Sequence, residues 1–113
     1  MQPNLAEDVE HYFDLMTIYG ESMQSEYLQD VADIMEKRME AARNAVLEIP
    51  NLKIQSVVWM RFICFRPIHR IECETGWSRR TIYRYLKKDL ENIRAMDQAG
   101  KLPEAGSGAA ADQ

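Results

Sequence analysis

Residues 67–88 read PIHRIECETGWSRRTIYRYLKK, and this stretch decides the fold that we expect. Pro67 is tolerated in the first turn of a helix, where a backbone amide has no partner inside the helix. Gly76 can adopt the left-handed conformation that ends a helix and turns the chain. Ser78 can accept a hydrogen bond from a free amide at the start of the next helix. The stretch therefore predicts two short helices joined by a tight turn at residues 75–77.

The apolar residues around this turn have the spacing of a helix-turn-helix, whose two helices cross at a fixed angle over buried side chains. Ile71 lies five residues before Gly76, and Trp77, Ile82 and Tyr85 follow it at one, six and nine residues. The side chains left over would face outward on the helix 78–88. We predict DNA contacts from this set: Ser78, Arg79, Arg80, Thr81, Tyr83, Arg84, Lys87 and Lys88.

These side chains have the chemistry of major-groove recognition. The planar fork of arginine can bond both acceptors of guanine, and a good bidentate pair discriminates by about 1–3 kcal/mol. Arg79 or Arg80, near the helix start, is expected to read a base. Phosphate contacts are expected from Ser78, Thr81, Arg84, Lys87 and Lys88. The alternatives are that the arginines form an ordinary solvated face, or that they contact the acidic half of a second molecule.

The charge of the chain is unevenly distributed. The total is −4, but residues 1–50 hold eleven acidic against three basic side chains, and residues 51–97 hold ten basic against five acidic. The two segments therefore carry net charges of −8 and +5. A chain whose positive charge lies in one half can attract phosphate there although its overall charge is negative.

The acidic segment is predicted to form two helices. Asn4 can cap the first, and Gly20 marks its end. Ser22 or Ser25 can cap a second, longer helix that runs to about residue 48. Apolar side chains recur at intervals of three and four in both: Leu5, Val9, Tyr12, Phe13 and Met16, then Tyr27, Leu28, Val31, Ile34, Met35, Met39, Ala42 and Val46. The spacing does not hold a strict seven-residue repeat, so packing inside a bundle is favoured over a coiled coil, and self-association through this part remains open.

The basic segment begins after Pro50, which interrupts the helix before it. Residues 52–65 are apolar on nearly every side, as in a helix buried by several neighbours. The helical pattern after the turn continues through Leu86, Leu90, Ile93 and Met96 to Gly100. No stretch alternates like a strand, so we predict an all-α fold, a small helical bundle. The predicted organisation is an acidic helical hairpin (1–50) for packing or oligomerisation, a DNA-binding module (51–97) and a flexible tail (98–113).

Several other classes of protein have little support. No apolar run is long enough to span a membrane and the N-terminus is not a signal peptide, so a cytoplasmic protein is expected. Cys64 and Cys73 are predicted to be free thiols. Together with His69 they lack a fourth ligand at zinc spacing, so no metal site is expected. No nucleophile–base–acid set and no glycine-rich phosphate loop occurs, so we expect neither an enzyme nor a cofactor.

The pattern extends beyond the turn into a longer motif within residues 52–94. Its members are Met60-Arg61-Phe62-Ile63, Ile71, Gly76, Ser78, Arg80-Thr81-Ile82-Tyr83-Arg84, Leu86 and Leu90. The segment resembles the promoter-reading domain of bacterial sigma factors. It is still more similar to phage and prophage late-transcription regulators of the RinA/ArpU type. Glu72 and Thr75 depart from that motif, since a small residue and a leucine are usual there. Glu72 is expected to turn out to solvent or to pair with Arg70 or another basic residue. Either the two helices cross more widely than usual, or Cys73 takes the role of the small residue.

The resemblance implies a sequence-specific DNA-binding regulator of transcription that binds double-stranded DNA, with a homodimer favoured because one recognition helix gives limited specificity. Two alternatives remain open. A phage small terminase subunit, which acts in DNA packaging, also joins such a motif to oligomerising helices. An interaction protein whose acidic half binds RNA polymerase or another phage protein is the second alternative.

Overall fold

The computed structural model describes residues 4–98, and this part of the chain is all-α, as predicted. Its six helices are α1 (Leu5–Glu10), α2 (Tyr12–Met23), α3 (Gln29–Leu47), α4 (Leu52–Val58), α5 (Ile68–Thr75) and α6 (Arg79–Gln98), and α4 continues as a π-helical segment at Trp59–Ile63. Residues 99–113, which make up nearly all of the predicted tail, lie outside the described residues. Within residues 4–98, no helix combines the length and the apolar character needed to cross a membrane.

The first predicted helix is present but its bounds differ. The Asn4 cap is confirmed, because its side-chain oxygen accepts a hydrogen bond from the Glu7 amide at 3.1 Å. A break at His11 separates α1 from α2. The prediction that Gly20 ends the helix is wrong, since α2 continues through it to Met23. Glycine weakens a helix interior without forbidding it, so flanking residues decide where the helix stops.

The second helix starts later than predicted. Ser22 lies inside α2, and the Ser25 hydroxyl accepts a hydrogen bond from the Tyr27 amide within the loop. Neither serine caps α3, which begins after Leu28 without a side-chain cap. The predicted break at Pro50 is confirmed, and Asn51 then caps α4 by accepting hydrogen bonds from two amides.

One hydrophobic core joins both halves of the chain. It combines side chains of α1, the start of α2, the second half of α3, α4, α5 and α6. The core residues are Leu5, Ala6, Val9, Tyr12, Ala42, Ala45, Val46, Ile49, Ile54, Val57, Val58, Ile68, Ile71, Ile82, Leu86, Leu90 and Ile93. The segments 1–50 and 51–97 therefore share a single core, and α6 is fixed from one side by helices of both segments.

Part of the predicted apolar pattern stays outside this core. Leu15, Ala32 and Met35 are buried where α2 packs on α3, but seven large apolar side chains of the segment 13–34 are exposed. These are Phe13, Met16, Ile18, Met23, Tyr27, Leu28 and Ile34. The predicted burial of Phe13, Met16, Tyr27, Leu28 and Ile34 is therefore wrong for the isolated chain.

A buried ion pair connects α1 to α3. The Asp8 side chain is 5% exposed and accepts two hydrogen bonds from Arg38, one from Nε at 3.1 Å and one from Nη2 at 2.6 Å. The bond to Asp8 raises the pKa of the Arg38 guanidinium, against the opposing effect of partial burial. The two hydrogen bonds and the positive charge of the arginine offset the free-energy cost of burying the carboxylate away from water.

Removing the arginine should therefore be costly. We expect Arg38→Met to lower the free energy of unfolding by roughly 1.5–3 kcal/mol, because Asp8 then stays buried without its charged partner. Lys37→Met is the matched control, since Lys37 is exposed, and should change stability by less than about 0.5 kcal/mol. Urea unfolding measures both variants. Equal stabilities of the two variants would contradict the role of the pair.

Candidate nucleic-acid interface

The turn between α5 and α6 has the predicted backbone. Pro67 immediately precedes α5, and α5 ends at Thr75. Gly76 follows with a φ of 77°, in the left-handed region, and its amide donates to the Glu72 carbonyl at 2.9 Å. Residues with a side chain adopt this conformation at an energetic cost, so glycine is favoured at this point.

Two hydroxyl side chains hold the turn in place. The Thr75 hydroxyl donates to the Ile71 carbonyl at 2.7 Å and accepts from the Trp77 amide at 3.2 Å. The Ser78 hydroxyl accepts from the Thr81 amide at 3.2 Å, which confirms the predicted cap of α6. Thr75, a departure from the motif, thus satisfies backbone groups of the turn where leucine could not.

The predicted scaffold residues are buried or half-buried. Ile71 on α5 and Ile82 on α6 have no exposed surface. Trp77 and Tyr85 pack against the core, and their rings meet edge to face with 5.6 Å between centroids. This packing fixes the rotation of α6 about its own axis, so the same face of the helix always points outward.

The outward face carries the residues predicted to contact DNA. Seven of the eight are exposed and Thr81 is half-buried. No described carboxylate lies within ion-pair distance of Arg80, Arg84, Lys87 or Lys88. The Arg84 guanidinium lies 5.7 Å from the centre of the Tyr85 ring, in a cation–π contact. The face therefore presents four cations with no described acidic partner.

Arg79 differs from these four because it forms an ion pair with Glu72. Its Nη2 donates to Glu72 Oε1 at 3.1 Å, and the two side chains are 59% and 31% exposed. Glu72, which departs from the motif, thus turns outward to a basic partner across the turn. The alternative that Cys73 replaces it as the small residue is wrong, since Cys73 is exposed. Helical spacing gives no sign of a pair seven residues apart, so the sequence did not predict it.

A second ion-pair cluster lies on α5. Glu74 accepts a hydrogen bond from Arg70 Nε at 3.0 Å and also pairs with Arg66. The hydrogen bond from Arg70 is the main reason why the pKa of Glu74 is lowered, and the charge of Arg66 contributes. Two arginines of the basic segment are thus paired with a carboxylate, although the charge of the segment alone suggests that they bind phosphate.

Other features of the region carry less chemistry. A surface groove of about 640 Å³ is lined by Leu47, Gln55, Ser56, Trp59, Met60, Glu74, Thr75 and Trp77, and includes none of the predicted DNA contacts. Cys64 and Cys73 are free, as predicted, but exposed. Within the described part of the chain, no three His, Cys, Asp or Glu side chains come together as metal ligands.

The left-handed turn can be tested by substitution. We expect Gly76→Ala to lower the free energy of unfolding by about 1–2 kcal/mol, because a methyl group disfavours the backbone conformation although the space around it is open. Gly20→Ala, at a helical site with equally open space, should instead raise it by up to about 1 kcal/mol. Urea unfolding measures both, and a neutral Gly76→Ala would contradict the assignment of the turn.

The α5 cluster predicts a pH dependence. Because folding lowers the pKa of Glu74 below its ordinary 4.5, the ionised carboxylate stabilises the fold above that pH and loses its contribution as the pH falls through the lower folded value. Glu74→Gln should therefore destabilise the protein at neutral pH, and the difference from the wild type should shrink below pH 4.5. In an Arg70→Gln background the effect should be smaller. A difference that stays constant with pH would be inconsistent with this pairing.

Comparisons of the chain with protein-family models, with curated proteins and with solved structures find no match. The likeness to sigma factors and to phage regulators therefore stays a prediction from the motif in residues 52–94.

Proposed function

We propose that the chain is a sequence-specific DNA-binding regulator of transcription, of the phage type, that reads DNA with the helix 78–88 in the major groove. The observation that carries the proposal is the exposed row of cations on α6, opposite the buried residues that fix the helix. A helix-turn-helix needs this combination, because base reading requires side chains held at fixed positions against the groove.

The residues of the face divide by their position along α6. Arg80 lies in the first turn, is exposed and has no described carboxylate within ion-pair distance, so it is the strongest base reader. Arg79 retains free N–H groups beside the one bonded to Glu72, and can present them to a second base or to a phosphate. Arg84, Lys87 and the neighbouring Lys88 lie further along the helix and supply phosphate contacts.

Hydroxyl groups and free amides at the start of α6 complete the phosphate contacts. The first amides of a helix have no partner within it and carry partial positive charge, so they attract a phosphate oxygen. The Ser78 hydroxyl accepts from the Thr81 amide and donates to the Thr81 hydroxyl oxygen at 3.0 Å, so the hydroxyl proton left to donate to a phosphate is that of Thr81. Tyr83, which is 53% exposed, adds an apolar and hydrogen-bonding surface between the cations.

The acidic segment limits binding to one face of the molecule. Its net charge of −8 repels phosphate, whereas the segment 51–97 carries +5. DNA should therefore be bound in a single orientation, with α6 facing the DNA and the acidic segment facing away from it.

A homodimer would bring two such helices to two half-sites and raise the specificity above that of one helix. We place this regulator in the cytoplasm, where DNA and RNA polymerase are accessible.

The direct test combines selection with substitution. A duplex is selected from a random library by the wild-type protein, and its affinity is measured by fluorescence anisotropy over a range of salt concentrations. Arg79→Ala/Arg80→Ala should weaken binding by at least tenfold, because a lost bidentate base contact costs about 1–3 kcal/mol. The salt dependence should also become less steep for each phosphate contact that is lost.

A control variant with the same change of charge isolates the face of α6. Lys37→Ala/Lys53→Ala removes two exposed cations that lie on α3 and α4, away from the proposed interface. Its affinity should fall by less than about threefold, through weaker long-range attraction only. Full affinity of the Arg79→Ala/Arg80→Ala variant, or no binding of any duplex by the wild type at low salt, would refute the proposed function.

A further inference from the structure

We infer that one face of α2 is a self-association surface, on which α2 of a second copy of this chain packs across a two-fold axis. The face consists of Phe13, Met16, Gly20 and Met23, and we call it the α2 stripe. Intervals of three, four and three residues place all four on one side of a helix. This contact would form the homodimer of the proposed function, but the observations behind it come from α2 and the adjoining Phe65 and do not involve α6.

The α2 stripe lies apart from the residues that α2 buries. The side of α2 that faces α3 buries Tyr12, Leu15 and Ser22. On the stripe, Phe13 is 57%, Met16 38% and Met23 51% exposed. These side chains expose a continuous apolar surface to water, and a partner that covered this surface would be favoured by the hydrophobic effect.

Gly20 is an independent sign that a backbone approaches this face. It lies inside α2, where alanine would stabilise the helix better. Its backbone does not have a positive φ, and a methyl group at this position would meet nothing within 4 Å. Neither the conformation nor the packing of a single copy thus requires glycine. What glycine does provide at the centre of the stripe is room for the backbone of another helix to come close.

The charges around the stripe favour a second copy over a basic partner. No charged residue lies on the stripe itself. Asp14 and Glu21 follow Phe13 and Gly20 by one residue, which places them about 100° around the helix. A two-fold contact matches the same uncharged patch on both copies and leaves these carboxylates outside it. A basic partner would instead be drawn to the acidic side of α2, away from the apolar residues.

The extent of the patch predicts a weak dimer. At one end the stripe is continued by Phe65, whose ring meets Phe13 edge to face at 5.1 Å. A dimer formed by one helix and one Phe65 side chain from each copy would bury less than about 1,200 Å² in total, which is small for a specific interface. Association should therefore be reversible in the micromolar range rather than permanent. DNA with two half-sites would then bring two copies together by mass action.

Sedimentation velocity of the full chain under reducing conditions and without DNA tests the inference. The wild type should pass from monomer to dimer as its concentration rises through the micromolar range. Met16→Glu should weaken the dimer at least tenfold. Leu52→Glu is the matched control, because it makes the same apolar-to-charged change at a side chain that is 70% exposed and off the stripe, and it should dimerise like the wild type.

Gly20→Ala separates association from folding. It should raise the thermal midpoint of the monomer while it weakens the dimer several-fold, because the added methyl group stabilises the helix but keeps the second helix away. A monomeric wild type at all concentrations, a particle larger than a dimer, or unchanged dimers in Met16→Glu or Gly20→Ala would overturn the inference. None of these results depends on DNA, so the proposed function could fail or hold separately.

Discussion

The left-handed backbone at Gly76 is the constraint on which the arrangement of the C-terminal half depends. It allows α5 to stop at Thr75 and α6 to begin at Arg79, so that Ile71 and Ile82 enter the same core. This turn and the burial of Ile82 together set the directions of the exposed side chains from Arg79 to Lys88. The row of exposed cations is thus a consequence of the core on the opposite side of the helix.

The turn and the helices near it could be predicted because each depends on neighbours in sequence. The glycine conformation, the Ser78 cap, the Asn4 cap and the break at Pro50 are local rules that a single chain shows directly. The burial of Ile71 and Ile82 follows from helical periodicity. These features fix the all-α class and the position of the candidate site.

The remainder depends on contacts between residues that are distant in sequence. The bonds of Arg38 to Asp8 and of Arg79 to Glu72 could not be read from spacing, because tertiary packing or the turn brings the partners together. The exposed apolar residues of α2 have the same periodicity as buried ones, so pattern alone assigned them to the core. The prediction at Gly20 was wrong because glycine ends a helix when it adopts a left-handed backbone conformation, and Gly20 keeps the helical conformation instead.

The ion pairs change how the charge of the basic half is to be understood. A count gives ten cations in residues 51–97, but Arg66, Arg70 and Arg79 are engaged by Glu72 and Glu74. Of the other seven cations, four lie in the helical turns from Arg80 to Lys88. A single band of this kind suits a groove one helix wide better than a broad, unspecific coating of DNA.

An amide NMR titration of the labelled chain with a duplex selected by it tests most directly whether α6 binds DNA. If α6 binds in the major groove, the largest shift changes will occur at residues 76–88 and the changes on α3 will be small. Larger changes on α3 than on α6, or no changes at low salt, would contradict DNA binding through α6.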